Sequence, residues 1–278
     1  MPLLVTSAMG RNGDGYGALL AFDEEGRPLG TFSDDARIAD PRGLAVDENA
    51  GLIFVNSGAD RVLALDRDGK VVRDTGLIQG LNPGGGIFGA DGRYYVGLRS
   101  ARTISAFPAT LERGGVYILP SGIVPFPRGF AFGRDGRLFL ASGIGTAGEG
   151  DDTIVAFAPS GAMLRSWSVR DRELSPLDLA IAPNGNIVVS SERPFGAPEA
   201  VTSIREYDAG DGRLARVFSA AGSAEFRKPR GLRFRPDGTL YCVTQDAVVA
   251  FDFASGKCLG AVVRFPRLNG QALAFISR

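Results

Sequence analysis

The chain has 278 residues, 44% of them hydrophobic and 22% charged, enough to bury a substantial core and too apolar for a disordered segment. Lysine plus arginine equals aspartate plus glutamate at 31 each, so no global field draws the chain onto nucleic acid or an anionic membrane. There is no histidine, which excludes Ser-His-Asp and Cys-His catalysis, histidine metal ligation and the usual pH switch.

The N-terminal stretch, Met1 to Met9, lacks a basic region followed by an apolar one, and no apolar run approaches the roughly 20 residues that span a bilayer. The cytoplasm is therefore the expected compartment, with no membrane partner. Leu3–Thr6, Leu19–Phe22 and Leu29–Phe32 read as short strands separated by turn residues. A phrase then begins that recurs through the chain: proline, one variable residue, glycine, and three or four apolar residues. It stands at Pro41-Arg42-Gly43, Pro83-Gly84-Gly85, Pro127-Arg128-Gly129 and Pro229-Arg230-Gly231, with Pro176-Leu177-Asp178 as a variant and Gly270-Gln271-Ala272 as a looser last copy. The copies start 42, 44, 49, 53 and 41 residues apart, the spacing of propeller blades or solenoid units.

Turn chemistry chooses between them. Each full copy carries two tight-turn signals. One set is Asp91-Gly92, Asp135-Gly136, Asn184-Gly185 and Asp237-Gly238, with a looser Asp47–Gly51. The other is Glu25-Gly26, Asp68-Gly69, Ser121-Gly122, Ser160-Gly161, Asp211-Gly212 and Ser255-Gly256. Such pairs between β-branched and aromatic runs mark hairpins, and two hairpins make four strands, A to D. The expected fold is an all-β, six-bladed propeller forming a single domain over residues 1–278. Its blades are 268–278 with 1–36, then 37–78, 79–124, 125–169, 170–224 and 225–267. The first turn set is one member short, and the missing turn falls where the chain begins and ends. Ala272–Ile276 is thus expected as strand A of the blade that holds the N-terminal strands, closing the ring.

The second copy, Pro41-Arg42-Gly43-Leu44-Ala45-Val46-Asp47 through Asn56-Ser57-Gly58-Ala59-Asp60-Arg61 to Gly69, resembles an NHL repeat. The pattern covers all six copies, although this copy alone keeps the polar-x-x-polar-x-Arg step. The fold also resembles the gluconolactonase-like and streptogramin-lyase-like propellers. Streptogramin-lyase-type chemistry, as that resemblance implies it, leans on histidine and has no counterpart here. A gluconolactonase-type divalent ion, held by Glu, Asn and Asp near the start of strand A, is expected to be missing, because those positions carry arginine, glycine, leucine and glutamine, with Asp178 the one acid. No cofactor is expected. Two acidic loops, Asn12-Gly13-Asp14 and Glu149-Gly150-Asp151-Asp152, do not match a calcium-loop spacing and read as solvated.

Long connections between strands B and C are expected at Ser7–Ala18, Leu98–Gly114, Ser142–Thr153 and Ser191–Ser203, placing recognition on that face. The residue between proline and glycine lies at the lip of the channel and reads Arg42, Gly84, Arg128, Leu177, Arg230, Gln271. Three converging guanidiniums suit a carboxylate, sulfate or phosphate, unless each is spent on a neighbouring carboxylate. Asp178 and Arg233 occupy the same side of strand A in adjacent blades, so a buried pair is expected. Asp178 and Glu192 are the candidate acid/base carboxylates. Arg42, Arg128, Arg230, Arg233, Arg99 and Tyr16 are the candidate ligand-binding residues. Cys242 reads as a packed thiol, with Cys258 too far across the blade to pair with it.

Three functions follow in order. The first is recognition of an anionic small molecule, peptide or protein segment. The second is a histidine-free, metal-independent lyase, lactone hydrolase or cyclase. The third is RNA binding, disfavoured because the loops mix Glu112, Glu149, Asp151, Asp152, Glu192 and Glu199 with the arginines.

Overall fold

The computed structural model describes residues 1–8, 17–112, 126–143, 152–169, 171–218, 220 and 223–277. Among these, 23 strands form six antiparallel sheets. Blade one joins both ends of the chain: β1 (Leu3–Ser7), β2 (Ala18–Phe22) and β3 (Pro28–Ser33), with β23 (Leu273–Phe275) innermost. Blade two is β4 (Pro41–Asp47), β5 (Leu52–Ser57), β6 (Arg61–Leu65) and β7 (Val71–Asp74). Blade three shows three strands among the described residues: β8 (Pro83–Phe88), β9 (Tyr94–Leu98) and β10 (Thr103–Phe107). Blade four is β11 (Pro127–Phe132), β12 (Leu138–Ser142), β13 (Thr153–Phe157) and β14 (Met163–Val169). Blade five is β15 (Pro176–Ile181), β16 (Ile187–Arg193), β17 (Val201–Tyr207) and β18 (Leu214–Phe218). Blade six is β19 (Leu232–Phe234), β20 (Thr239–Val243), β21 (Ala247–Asp252) and β22 (Lys257–Arg264).

The ring closes as the missing turn implies. β23 pairs with β1 in the register Leu3↔Phe275, Leu4↔Ala274, Val5↔Leu273. The innermost strands then touch in sequence, β4 against β8, β8 against β11, β11 against β15, β15 against β19, and β23 against both β19 and β4.

In the inner strands the two faces feed two different cores, which is why those runs are apolar without polar alternation, whereas the outermost strands are partly exposed. In β1, Leu3 and Val5 pack toward blade six, whereas Leu4 packs toward blade two. In β12, Leu138 and Leu140 face blade three while Phe139 and Ala141 face blade five. Six such clusters, one per pair of neighbouring blades, make up the core. The hairpin glycines do what the turn type requires: Gly92, Gly136, Gly185 and Gly238 take φ of 74°, 78°, 91° and 86°, where a Cβ is strained.

The proline-x-glycine phrase acquires a structural meaning that the repeat alone does not reveal. The pairing of strand A with strand B shifts register across it at Pro41/Gly43, Pro83/Gly86, Pro127/Phe130 and Pro176/Leu179. It is a β-bulge, and bulges re-aim a side chain. The bulged residue is turned toward the channel. The glycine after it is needed because neighbouring innermost strands come close: a Cβ on Gly43 would lie 2.9 Å from the Gly84 carbonyl, and one on Gly231 would lie 2.9 Å from the Ala272 Cα.

Blade three corrects one expectation. Leu98–Gly114 is not a long loop, because β10 occupies Thr103–Phe107 and only residues 99–102 connect β9 to it. The turn after β10 is Pro108–Leu111, closed by the Leu111 amide donating to the Pro108 carbonyl at 2.8 Å, with Leu111 at φ 57° where other blades use glycine. Lacking the glycine signal, it was passed over for Ser121-Gly122, which lies outside the described residues. In blade five the strands run further than expected, so the connection shrinks to residues 194–200 and Glu192 sits inside β16.

Candidate functional site

The bulges converge on one cavity of about 480 Å³ at the mouth of the channel. Of the six lip positions, Arg42, Arg128, Leu177, Arg230 and Gln271 line it. The sixth is Gly84, and its empty side-chain space is taken by Arg99, whose Nε lies 3.2 Å from where a Gly84 Cβ would stand. Arg233 and Asp178 complete the polar lining, and Phe126 and Phe195 supply rings. Five of the six expected ligand-binding residues are therefore together; Tyr16 lies outside the described residues. The alternation of basic and non-basic lip residues does not survive in three dimensions, because Arg99 reaches in from the end of β9.

The carboxylates near the cavity are engaged. Arg42 Nε donates to Asp40 at 2.7 Å, and its Nη1 donates to Asn82 Oδ1 at 2.5 Å. Arg230 Nη1 donates to Glu192 Oε2 at 2.7 Å, with Glu192 only 1% exposed and not part of the cavity wall. Arg233 Nη1 donates to Asp178 Oδ2 at 3.1 Å, and the same oxygen accepts from the Leu232 amide at 3.0 Å. The expected pair is present, half-buried. Arg233 also crosses the channel, its Nη2 donating to the Leu44 carbonyl of blade two at 3.3 Å. The Asp178 carboxylate lies over Gly129, where a Cβ would stand 2.0 Å from Oδ1.

Arg99 differs from these three. Its Nε is sealed from solvent without a hydrogen-bond partner among the described residues. The carboxylate that offsets its charge is Asp40, already held by Arg42. Burial, then repulsion from Arg42 and Arg230, pushes its guanidinium down to about 10. Burial, with repulsion from Arg99 and Arg230, pushes Arg128 down to about 9. Both stay charged at neutral pH. The Arg128 guanidinium stacks 4.0 Å from the Phe195 ring centroid and 5.5 Å from that of Phe126, while Arg99 lies 5.6 Å from Phe126 and Arg230 5.6 Å from Phe195. Phe126 and Phe195 were missed in the sequence. Phe126 stands just before a repeat proline, and that position is Asp40, Asn82, Ser175 and Lys228 in other blades; this break in the pattern was the available signal.

A divalent ion does not fit this mouth. Asp178 is the one carboxylate in the wall among the described residues, it is tied to Arg233, and five guanidiniums surround it. Among the described residues no cluster of three potential ligands occurs elsewhere. Of the acidic loops, Asn12-Gly13-Asp14 and Glu149–Asp151 lie outside the described residues. Asp152 accepts from Ser175 Oγ at 2.9 Å and pairs with Arg193. Cys242 is buried, Cys258 is partly exposed and both are free. No helix is long and apolar enough to cross a membrane among the described residues.

No protein-family model matches the chain, and no curated protein matches it either. Solved structures share its fold. A protein of unknown function from Bacteroides caccae is 16% identical with a TM-score of 0.71, covering 98% of this chain and 97% of that one. A gluconolactonase from Xanthomonas campestris is 18% identical with a TM-score of 0.65, covering 86% of this chain and 84% of that one. A streptogramin B lyase is 16% identical with a TM-score of 0.59, covering 80% and 69%. The chain is a six-bladed propeller similar in fold to these proteins, and fold carries no activity by itself.

Proposed function

We propose that this propeller is a recognition module whose arginine-lined mouth binds an anionic ligand, either a small molecule or the acidic end of a peptide or protein segment. The observation that carries this reading is Arg99, a charged guanidinium in the cavity wall with its Nε unbonded among the described residues. Arg42, Arg230 and Arg233 in the same wall each hold a carboxylate, whereas Arg99 holds none among the described residues, so its guanidinium is a charge-assisted donor for an incoming carboxylate or phosphate oxygen. The volume falls within the roughly 300–1,000 Å³ of small-molecule sites. The NHL-like character of the repeats belongs to the same reading.

The enzyme alternative rests on Asp178 and Glu192. Both carboxylates are committed to arginines, and Glu192 is withdrawn from the cavity, which favours binding over acid/base chemistry. An RNA-binding surface is also disfavoured, since these guanidiniums line a recess instead of spreading over an open face.

Isothermal titration with acetate, citrate, phosphate and aryl carboxylates tests the proposal, using Arg99→Ala and Arg128→Ala. These variants are preferable to Arg230→Ala, which strands Glu192 in the interior. At least one anion should bind the native protein, and each variant should weaken it tenfold or more. Unchanged affinity in both variants, with their melting temperatures intact, sinks the proposal.

A further inference from the structure

The cavity wall says more than that an anion binds; it says what is attached to the anion. A cavity of about 480 Å³ is far larger than a single water-sized group needs. A tetrahedral oxyanion supplies five atoms and leaves most of the space unfilled. The ligand therefore carries an organic body. The surfaces facing that body are the rings of Phe126 and Phe195 and the side chain of Leu177. Both rings already stack on the Arg128 guanidinium, which fixes its plane.

Charge limits the ligand from the other side. Arg42, Arg230 and Arg233 hold Asp40, Glu192 and Asp178, so a further carboxylate on the ligand would compete with carboxylates of the protein. Arg99 has no such occupant. One negative group is anchored there, beside Phe126.

We infer that the ligand is an aromatic monocarboxylate, its carboxylate on Arg99 and its ring against Phe126, Phe195 and Leu177. This rests on the anion-binding reading above and narrows it to one chemical class. Three features must act together: a negative charge, an aromatic body and a single acid group.

The test is a titration of the full chain with phenylacetate, indole-3-acetate, acetate, phenylacetamide and inorganic phosphate. Phenylacetate and indole-3-acetate should bind at least tenfold more tightly than acetate, phosphate or phenylacetamide. Arg99→Ala should weaken the two aryl acids at least tenfold. Phe195→Ala, on a connecting segment outside the cores, should weaken the aryl acids by a larger factor than it weakens acetate. Acetate or phosphate binding as tightly as the aryl acids, with dependence on Arg99, overturns the aromatic inference while leaving the anion reading intact. Phenylacetamide binding as tightly as phenylacetate overturns both, because the cavity then reads shape and not charge. No binding by any of the five also overturns both.

Discussion

Removing the Asp178 carboxylate measures whether it is structural cement or a reagent. In Asp178→Ala, the Leu232 amide loses an acceptor at 3.0 Å and Arg233 loses its counter-ion at 3.1 Å. An orphaned buried amide costs about 1–3 kcal/mol. Stranding one partner of a fully buried pair costs about 3–5 kcal/mol, and the partial exposure of this pair, 28% and 17%, lowers that share. We take roughly 2–4 kcal/mol for the whole change. At about 2.1 cal/mol/K per residue of unfolding entropy, a chain of this length should melt roughly 3–7 °C lower. Calorimetry provides the assay. The double variant Asp178→Leu with Arg233→Met removes both charges and should recover the ion-pair share of the loss, though not that of the Leu232 amide, since an apolar pair can replace a buried ion pair at little cost. A single variant melting within 1 °C of the native chain would refute the argument, as would a double variant no more stable than the single.

Gly129→Ala forces a Cβ to within 2.6 Å of the Asp178 Cα, a backbone atom that cannot swing aside, and should cost about 1–3 kcal/mol in denaturant melts. Gly84→Ala meets only the flexible Arg99 Nε at 3.2 Å, so titration should show weakened anion binding with little change in stability. Anion affinity should be flat between pH 6 and 8. It should fall as pH rises past about 9, where Arg128 and then Arg99 lose their protons; binding there should take up protons from the buffer. Asp35 is held at about 2, chiefly by the hydrogen bond from Arg37, so its contribution is complete above its ordinary value and is lost as pH falls through the folded value. Both side chains are substantially exposed, which keeps that contribution below about 1 kcal/mol; Asp35→Asn should flatten the acid limb of stability by no more than this.

The fold was legible because its causes are local and repeated. Glycine at turn positions and apolar runs buried on both faces recur in nearly every blade, and they name the hairpins before any contact is known. The misreading in blade three shows the limit: Leu111 adopts the left-handed turn conformation without being glycine, so composition gives no sign of the turn. The lip arginines were legible for the same reason, since the bulged residue follows a fixed phrase. Arg99 was legible as a ligand-binding candidate through its place at the end of a strand, but not through the lip phrase. Its place in the cavity depends on Gly84, in another strand, having no side chain to occupy the space. The rings of Phe126 and Phe195 come from connecting segments, where no period exists to read. What a repeat imposes can be read in one dimension, whereas what fills a gap between repeats requires three.

The central claim is that an anion is drawn to this mouth, and an anomalous-scattering map of crystals soaked in selenate or bromide tests it most directly. A peak is expected inside the cavity beside Arg99, where bromide or a selenate oxygen accepts from the guanidinium nitrogens, and none there in Arg99→Ala crystals. Peaks confined to outer-surface arginines, with the cavity left without one, would contradict it.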